Sequence, residues 1–268
     1  MRKRSLTFYV LAAFFALFVL FLYGPMFSIF ALSLQGPEGG LTFPMRGFSF
    51  YWLGQVFQEQ RVGNFVDSFW RSLVLGLVVM LLSLIVSVTA GLAFRNRFKG
   101  AGTLFYLTIA SLIVPSILIS LGIGIVFQVL DLPTGWLSSG LGAHLTWTVP
   151  FAFLIVLGIF NRFNPSYEEA ARDLGASDVV TFWDIIFPLI LPSLLGIGIL
   201  SFTLSYDEFT RTSLISGSGN TLPLEIFGMT TNVTSPALYA LGTLTTLFSF
   251  GLIAIAFLGY NYFSVKQK

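Results

Sequence analysis

Six apolar runs, at about 6–34, 69–94, 104–130, 143–160, 185–206 and 238–263, contain between them a single charged side chain, Arg71. A helix rises 1.5 Å per residue, so each run is long enough to cross a hydrocarbon core of ~30 Å. Composition agrees, because only 10% of the residues are charged, against ~25% in an ordinary soluble domain. The expected architecture is therefore an all-α polytopic membrane protein, a single transmembrane domain over residues 1–268 with six spans at those positions.

The first run follows Arg2-Lys3-Arg4, and Ala31-Leu32-Ser33 has the small-residue character of a signal cleavage site. A signal peptide's apolar region is only ~7–15 residues long, so an uncleaved first span is expected instead. Gln35 to Asp67 reads as a loop rich in Gly, Pro and aromatics, with a short interfacial helix over Tyr51 to Phe57. In the second span Ser83, Ser87 and Gly91 recur every four residues, and in the third so do Ser116, Ser120 and Gly124. Small residues at that spacing let membrane helices approach closely. Pro115 is expected to kink the third span.

Orientation follows from the basic residues. With six spans and the N-terminus inside, ten of the fourteen Lys and Arg residues face the cytoplasm: Arg2, Lys3, Arg4, Arg95, Arg97, Lys99, Arg162, Arg172, Lys266 and Lys268. Arg46, Arg61, Arg71 and Arg211 lie outside. That asymmetry meets the positive-inside rule and places the loop at 161–184 in the cytoplasm.

Several chemistries are poorly supported. Net charge is only +2, which gives no sign of a nucleic-acid partner, and no cysteine is present for disulfides or thiol chemistry. The one histidine, His144, rules out a clustered histidine metal site and is expected to be an interfacial hydrogen-bonding side chain. Neither a phosphate-binding G-x-x-x-x-G-K-[ST] loop nor a G-x-S-x-G elbow occurs. ATP hydrolysis, if it drives this protein, has to come from a partner. Asn232-Val233-Thr234 has glycosylation spacing, a short pattern that arises often by chance.

The polar interruption Tyr167 to Pro192, YEEAARDLGASDVVTFWDIIFPLILP, is the more informative part. Glu168 to Leu174 is helix-forming, with acidic Glu168 and Glu169 in its first turn and Ala170, Ala171 and Leu174 making a narrow apolar stripe. Gly175 permits a sharp bend, after which Asp178 is placed to cap a second short helix. The plainer alternative is an ordinary polar loop between two spans.

Glu169-Ala170-Ala171, three residues, Gly175, nine residues, then Ile185 and Phe187-Pro188 resembles the EAA loop of ABC-importer permeases. Phe187 stands where that pattern usually has Leu. The resemblance implies the type I ABC-importer permease fold, with this loop as the cytoplasmic coupling helix that docks on a separate ATPase. Glu168, Glu169, Ala170, Ala171, Arg172 and Gly175 are the implied coupling residues.

A second stretch, Ser201 to Pro236, carries S-F-T-L-S-Y-D-E and T-L-P-L-E-I-F-G-M. With the upstream F-R-N-R-F-K-G, these runs resemble the spermidine/putrescine permease subunits, a branch that also holds transporters of opines and other small polar solutes. By resemblance the chain pairs with a second permease, two ATPase subunits that use ATP and Mg, and a periplasmic solute-binding protein. Tyr206, Asp207 and Glu208 are the candidate substrate-path residues. Acids held at membrane depth normally face a polar cavity. The alternatives are that both acids lie in solvent, or that Asp207 pairs with Arg211 at i, i+4. A secondary transporter driven by an ion gradient is the main functional rival; a membrane-embedded enzyme lacks a visible nucleophile–base pair.

Overall fold

The computed structural model describes residues 5–58, 64–232 and 235–265. Arg2 to Arg4, Arg61, Val233, Thr234, Lys266 and Lys268 lie outside the described residues, so the glycosylation pattern does too. The elements are α1 (Leu6–Ser33), α2 (Tyr51–Gln55), α3 (Phe65–Phe94), α4 (Ala101–Ile113), α5 (Ser116–Val129), α6 (Ser139–Arg162), α7 (Ser166–Asp173) and α8 (Asp178–Thr181). A π-helical turn, Phe182–Ile186, joins α8 to α9 (Phe187–Tyr206), and α10 (Leu222–Asn232) and α11 (Ala237–Val265) complete the chain. Among the described residues five helical stretches are long and apolar enough to cross a membrane, or six if the bent pair α4–α5 is one span.

The chain divides into two compact units, Met1–Asn64 with Ile226–Gly251 and Phe65–Glu225 with Leu252–Lys268. In the first, α1 exposes apolar side chains along most of its length, as a helix surrounded by lipid or by partner helices would. The loop after it is ordered around buried Gln35. Its amide donates to the Gly40 carbonyl at 2.9 Å, and its Oε1 accepts from the Arg46 N–H at 2.7 Å. The expected short helix is present as α2, ending at Gln55 rather than Phe57, and its Trp52 indole donates to the Gly36 carbonyl at 3.2 Å.

The second unit is built on α3, α6 and α9. Helices α3 and α6 run parallel. Ser83 donates to Thr148 at 2.9 Å, and two turns on, a Cβ added at Gly91 would lie 2.5 Å from Val156. Helix α9 runs antiparallel to α3, so that Gly76 faces the Phe202 ring while Gly198 faces Met80 and Leu84. The small-residue stripe Ser83, Ser87 and Gly91 is thus a buried packing face. Val88, Ala152, Val156, Phe160, Ile186, Ile190, Leu194 and Ile197 form the hydrophobic cluster beside it.

The third span departs from expectation. Proline disfavours the α conformation in the residue before it. Val114 is accordingly extended, at ψ 129°, and the chain bends by 108° between α4 and α5. A kinked helix is therefore two helices. Pro150 in α6, by contrast, leaves its helix continuous. The carbonyl it frees, that of Thr146, accepts from Ser111 of α4 at 2.9 Å, so the lost backbone bond is replaced by a neighbour.

The close approach at Gly91 yields a test by sign. Alanine is favoured over glycine in a helix by about 1 kcal/mol, whereas overpacking costs about 1–3 kcal/mol. Gly91→Ala, with Val156 and Phe160 against the new methyl, is expected to lower the thermal unfolding midpoint of the purified protein. Gly102→Ala, whose Cβ meets nothing within 4 Å, is expected to leave it unchanged or raise it. Equal effects at the two positions would mean that α3 and α6 are not in contact here.

Candidate functional sites at the two ends of helix α9

Helix α7 is held against the end of α3. Glu168 lies within 2.6 Å of the Arg95 guanidinium, an ion contact rather than an aligned hydrogen bond, and both side chains are largely shielded from solvent. Arg95 also sits over the Phe160 and Phe163 rings, at 5.3 and 5.6 Å, so α3, α6 and α7 meet on one side chain. Glu169 and Ala170 are exposed, and Arg172 makes an exposed pair with Asp178 at 3.3 Å that contributes little by itself.

Gly175 ends α7 in the left-handed region, at φ 82°. Its N–H bonds the Arg172 carbonyl at 2.9 Å, and the Ala176 N–H bonds that of Ala171 at 3.0 Å, which together make a Schellman cap. Two details of the sequence reading change. The cap of α8 is Ser177, whose hydroxyl accepts from the Val180 N–H, while Asp178 lies in the first turn. The stripe of Ala170, Ala171 and Leu174 also divides: Ala171 is buried against the protein, and Leu174 points away with 90% of its surface exposed. Tyr167, Val179, Val180 and Trp183 are exposed around it. Two short helices thus present an apolar outer face on a base fixed to the core. Phe187, the departure from the usual pattern, packs on Trp183 at 5.2 Å and on Phe182 at 6.1 Å.

The other end of α9 lies about 30 Å away, given 20 residues in that helix. Tyr206 closes it, buried, stacked on Phe202 at 5.5 Å and edge-on to Phe69 at 6.4 Å. Asp207 is the C-cap and is exposed. Glu208 is buried, and its carboxylate is taken up by Arg211: Oε1 accepts from the backbone N–H at 2.8 Å, and Oε2 accepts from Nη1 at 3.0 Å. The structural pairing is therefore Glu208 with Arg211 at i, i+3, and the Asp207–Arg211 alternative is not formed. The two acids face different surroundings.

Residues that the sequence left in the background hold this segment in place. His144, expected at an interface, is fully buried in α6. Its ring nitrogens lie 2.8 Å from the Ser205 hydroxyl and 2.9 Å from that of Thr212, so it bridges α9 to the turn that follows. Ser120 of α5 donates to the Arg211 carbonyl at 2.8 Å, and Ser139 of α6 to that of Ile215 at 2.7 Å. Trp147, half-buried, lies under the Arg211 guanidinium, 4.5 Å from ring centre to Cζ. The residues expected to serve coupling and those expected to line a substrate path thus lie at opposite ends of one helix. Among the described residues no group of three or more His, Cys, Asp and Glu side chains is placed to hold a metal.

Comparison with known proteins identifies the family and the fold. Residues 83–266 match the family model described as binding-protein-dependent transport system inner membrane component. The spermidine/putrescine transport system permease protein PotC of Haemophilus influenzae is 29% identical over 251 residues, covering 93% of this chain and 95% of the relative. The putrescine transport system permease protein PotI of Escherichia coli is 28% identical over 233 residues, covering 84% and 81%. A chain of a bacterial alginate ABC transporter, solved with a pentasaccharide-bound periplasmic protein, superposes with a TM-score of 0.66 at 15% identity, over 97% of this chain and 93% of that one. The helical architecture is that of ABC-importer permeases. The chain belongs to the family of binding-protein-dependent transport system inner membrane components.

Proposed function

We propose that this permease forms half of the pathway of an ATP-driven importer for a polyamine. It is non-catalytic itself, and it works with a second permease, two ATPase subunits that use ATP and Mg, and a periplasmic solute-binding protein. The observation that carries the coupling part is the α7–α8 knob. A soluble partner is the natural cover for Leu174, Tyr167, Val179 and Trp183, which are exposed on a polar segment. The Arg95–Glu168 contact gives movements of that partner a firm connection to α3 and α6. A secondary transporter needs no such knob.

The polyamine reading draws on the relatives named for spermidine and putrescine, and on Asp207, an exposed carboxylate at the far end of α9. In the proposed orientation the knob and both chain termini are cytoplasmic, as the ten-to-four distribution of basic residues favours. Asp207 then lies toward the periplasmic side, where solute is handed over.

The coupling reading is tested at Gly175. A Cβ there meets nothing within 4 Å, so a substitution acts through the backbone alone. Gly175→Val is expected to lower solute-stimulated ATP hydrolysis and uptake by the assembled complex by about tenfold, the equivalent of about 1.4 kcal/mol in docking, with membrane insertion unchanged. Gly175→Asn, which tolerates the left-handed conformation, is expected to retain most of both. Normal stimulated hydrolysis in an assembled Gly175→Val complex would remove the knob from the coupling path.

Orientation is tested by labelling. The chain has no cysteine, and Ser177 and Ser218 are both exposed. In intact cells Ser177→Cys is expected to react only with a membrane-permeant maleimide, and Ser218→Cys with an impermeant one. The opposite pattern would put the knob outside and end the docking argument.

A further inference from the structure

A carboxylate beside an aromatic face binds an alkylammonium ion well, the first through charge-assisted hydrogen bonds and the second through the ring quadrupole. Glu208 and Trp147 make that pair, and in this structure the cation between them is Arg211. Arg211 engages both carboxylate oxygens, one through its backbone N–H and one through Nη1. Its Nε, in a side chain 92% shielded from solvent, has no hydrogen-bond partner, and neither does the Trp147 indole N–H. A guanidinium has five donors to satisfy when buried, so this one is held by two groups and otherwise poorly accommodated.

The backbone around it is firmly anchored. Ser120 bonds the Arg211 carbonyl, and Thr212 is bonded both to the Glu208 carbonyl, at 3.0 Å, and to His144. The turn therefore stays in place if the long Arg211 side chain swings away. Asp207, exposed and four positions earlier, offers a second carboxylate to receive the released guanidinium. A buried carboxylate without a partner is strongly destabilising, so exchanging one cation for another is the low-cost way to open such a site.

We infer that Glu208 and Trp147 form a cation subsite and that Arg211 is its tethered occupant, displaced by an ammonium group of the solute during transport. This rests on the reading of the solute as a cation. It adds that the solute competes with a group of the protein itself, and that Glu208 remains paired before and after the exchange.

Equilibrium binding of radiolabelled spermidine to the purified, nucleotide-free complex without its binding protein tests the exchange, alongside whichever solute the wild-type complex imports. Arg211→Gln removes the competitor and is expected to lower Kd by about tenfold, whereas Arg211→Lys, which restores a tethered cation, returns it toward wild type. The double variant Glu208→Gln/Arg211→Gln leaves no unpaired charge, assembles, and is expected to bind about a hundredfold more weakly than Arg211→Gln, and so about tenfold more weakly than wild type. An ion pair with a purely structural role predicts otherwise: Arg211→Gln loses yield but keeps its Kd, and the double variant recovers both yield and the wild-type Kd. That result would overturn the proposal. If Arg211→Gln fails to assemble, the double variant against wild type decides, with a raised Kd in favour and an unchanged Kd against. If the wild-type complex imports a solute other than a polyamine, the polyamine reading fails separately. A Kd shift for that solute, if cationic, sustains the subsite, and no shift overturns it.

Discussion

Close approach of α3 to α6 and α9 is the constraint on which the rest depends. Helices in lipid gain little from burying apolar surface against each other, so their association relies on packing and on hydrogen bonds between them. Gly76, Gly91 and Gly198 provide the space, and Ser83 bonded to Thr148 provides the polar tie. Because α9 is antiparallel to the other two, its start lies beside the end of α3 and its end beside the beginning of α3. That geometry alone carries the knob to one end of the helical core and Asp207 and Glu208 to the other.

Each end is fixed by arginine, in a different way. Arg95 lies across the Phe160 and Phe163 rings and meets Glu168, so a push on α7 is delivered to the ends of α3 and α6 together. Arg211 is enclosed by Glu208 and Trp147 on a turn whose backbone is bonded to α5 and α6. The first arginine connects helices. The second occupies the proposed cation subsite. In the proposed alternating-access importer, the helical core between them would carry a movement of the knob to the proposed solute site.

Much of this was legible in the sequence, for reasons that can be named. Runs of spanning length with almost no charge marked the helical segments, all but the bent α4–α5 pair as single helices, and the four-residue spacing of Ser83, Ser87 and Gly91 marked a real packing face. The left-handed turn at Gly175 followed from the one residue that takes it without strain. Pro115 was read as a kink, but Val114 before it is extended and the helix breaks there, whereas α6 continues through Pro150, whose freed carbonyl is bonded by Ser111. Ala170, Ala171 and Leu174 read as one stripe, but Leu174 is the C-cap beyond the last helical residue and points outward while Ala171 is buried. The meetings of Arg95 with Glu168 and Arg211 with Trp147, and the bridge through His144, join residues distant in the chain. No local pattern records such pairs.

The account is tested most directly by spermidine uptake into proteoliposomes that hold the complete complex, with ATP supplied on one face at a time and ion gradients collapsed by ionophores. It predicts uptake that needs ATP on the face carrying the α7–α8 knob and that continues when the gradients are gone. Uptake that proceeds without ATP and stops when the gradients are collapsed would contradict it.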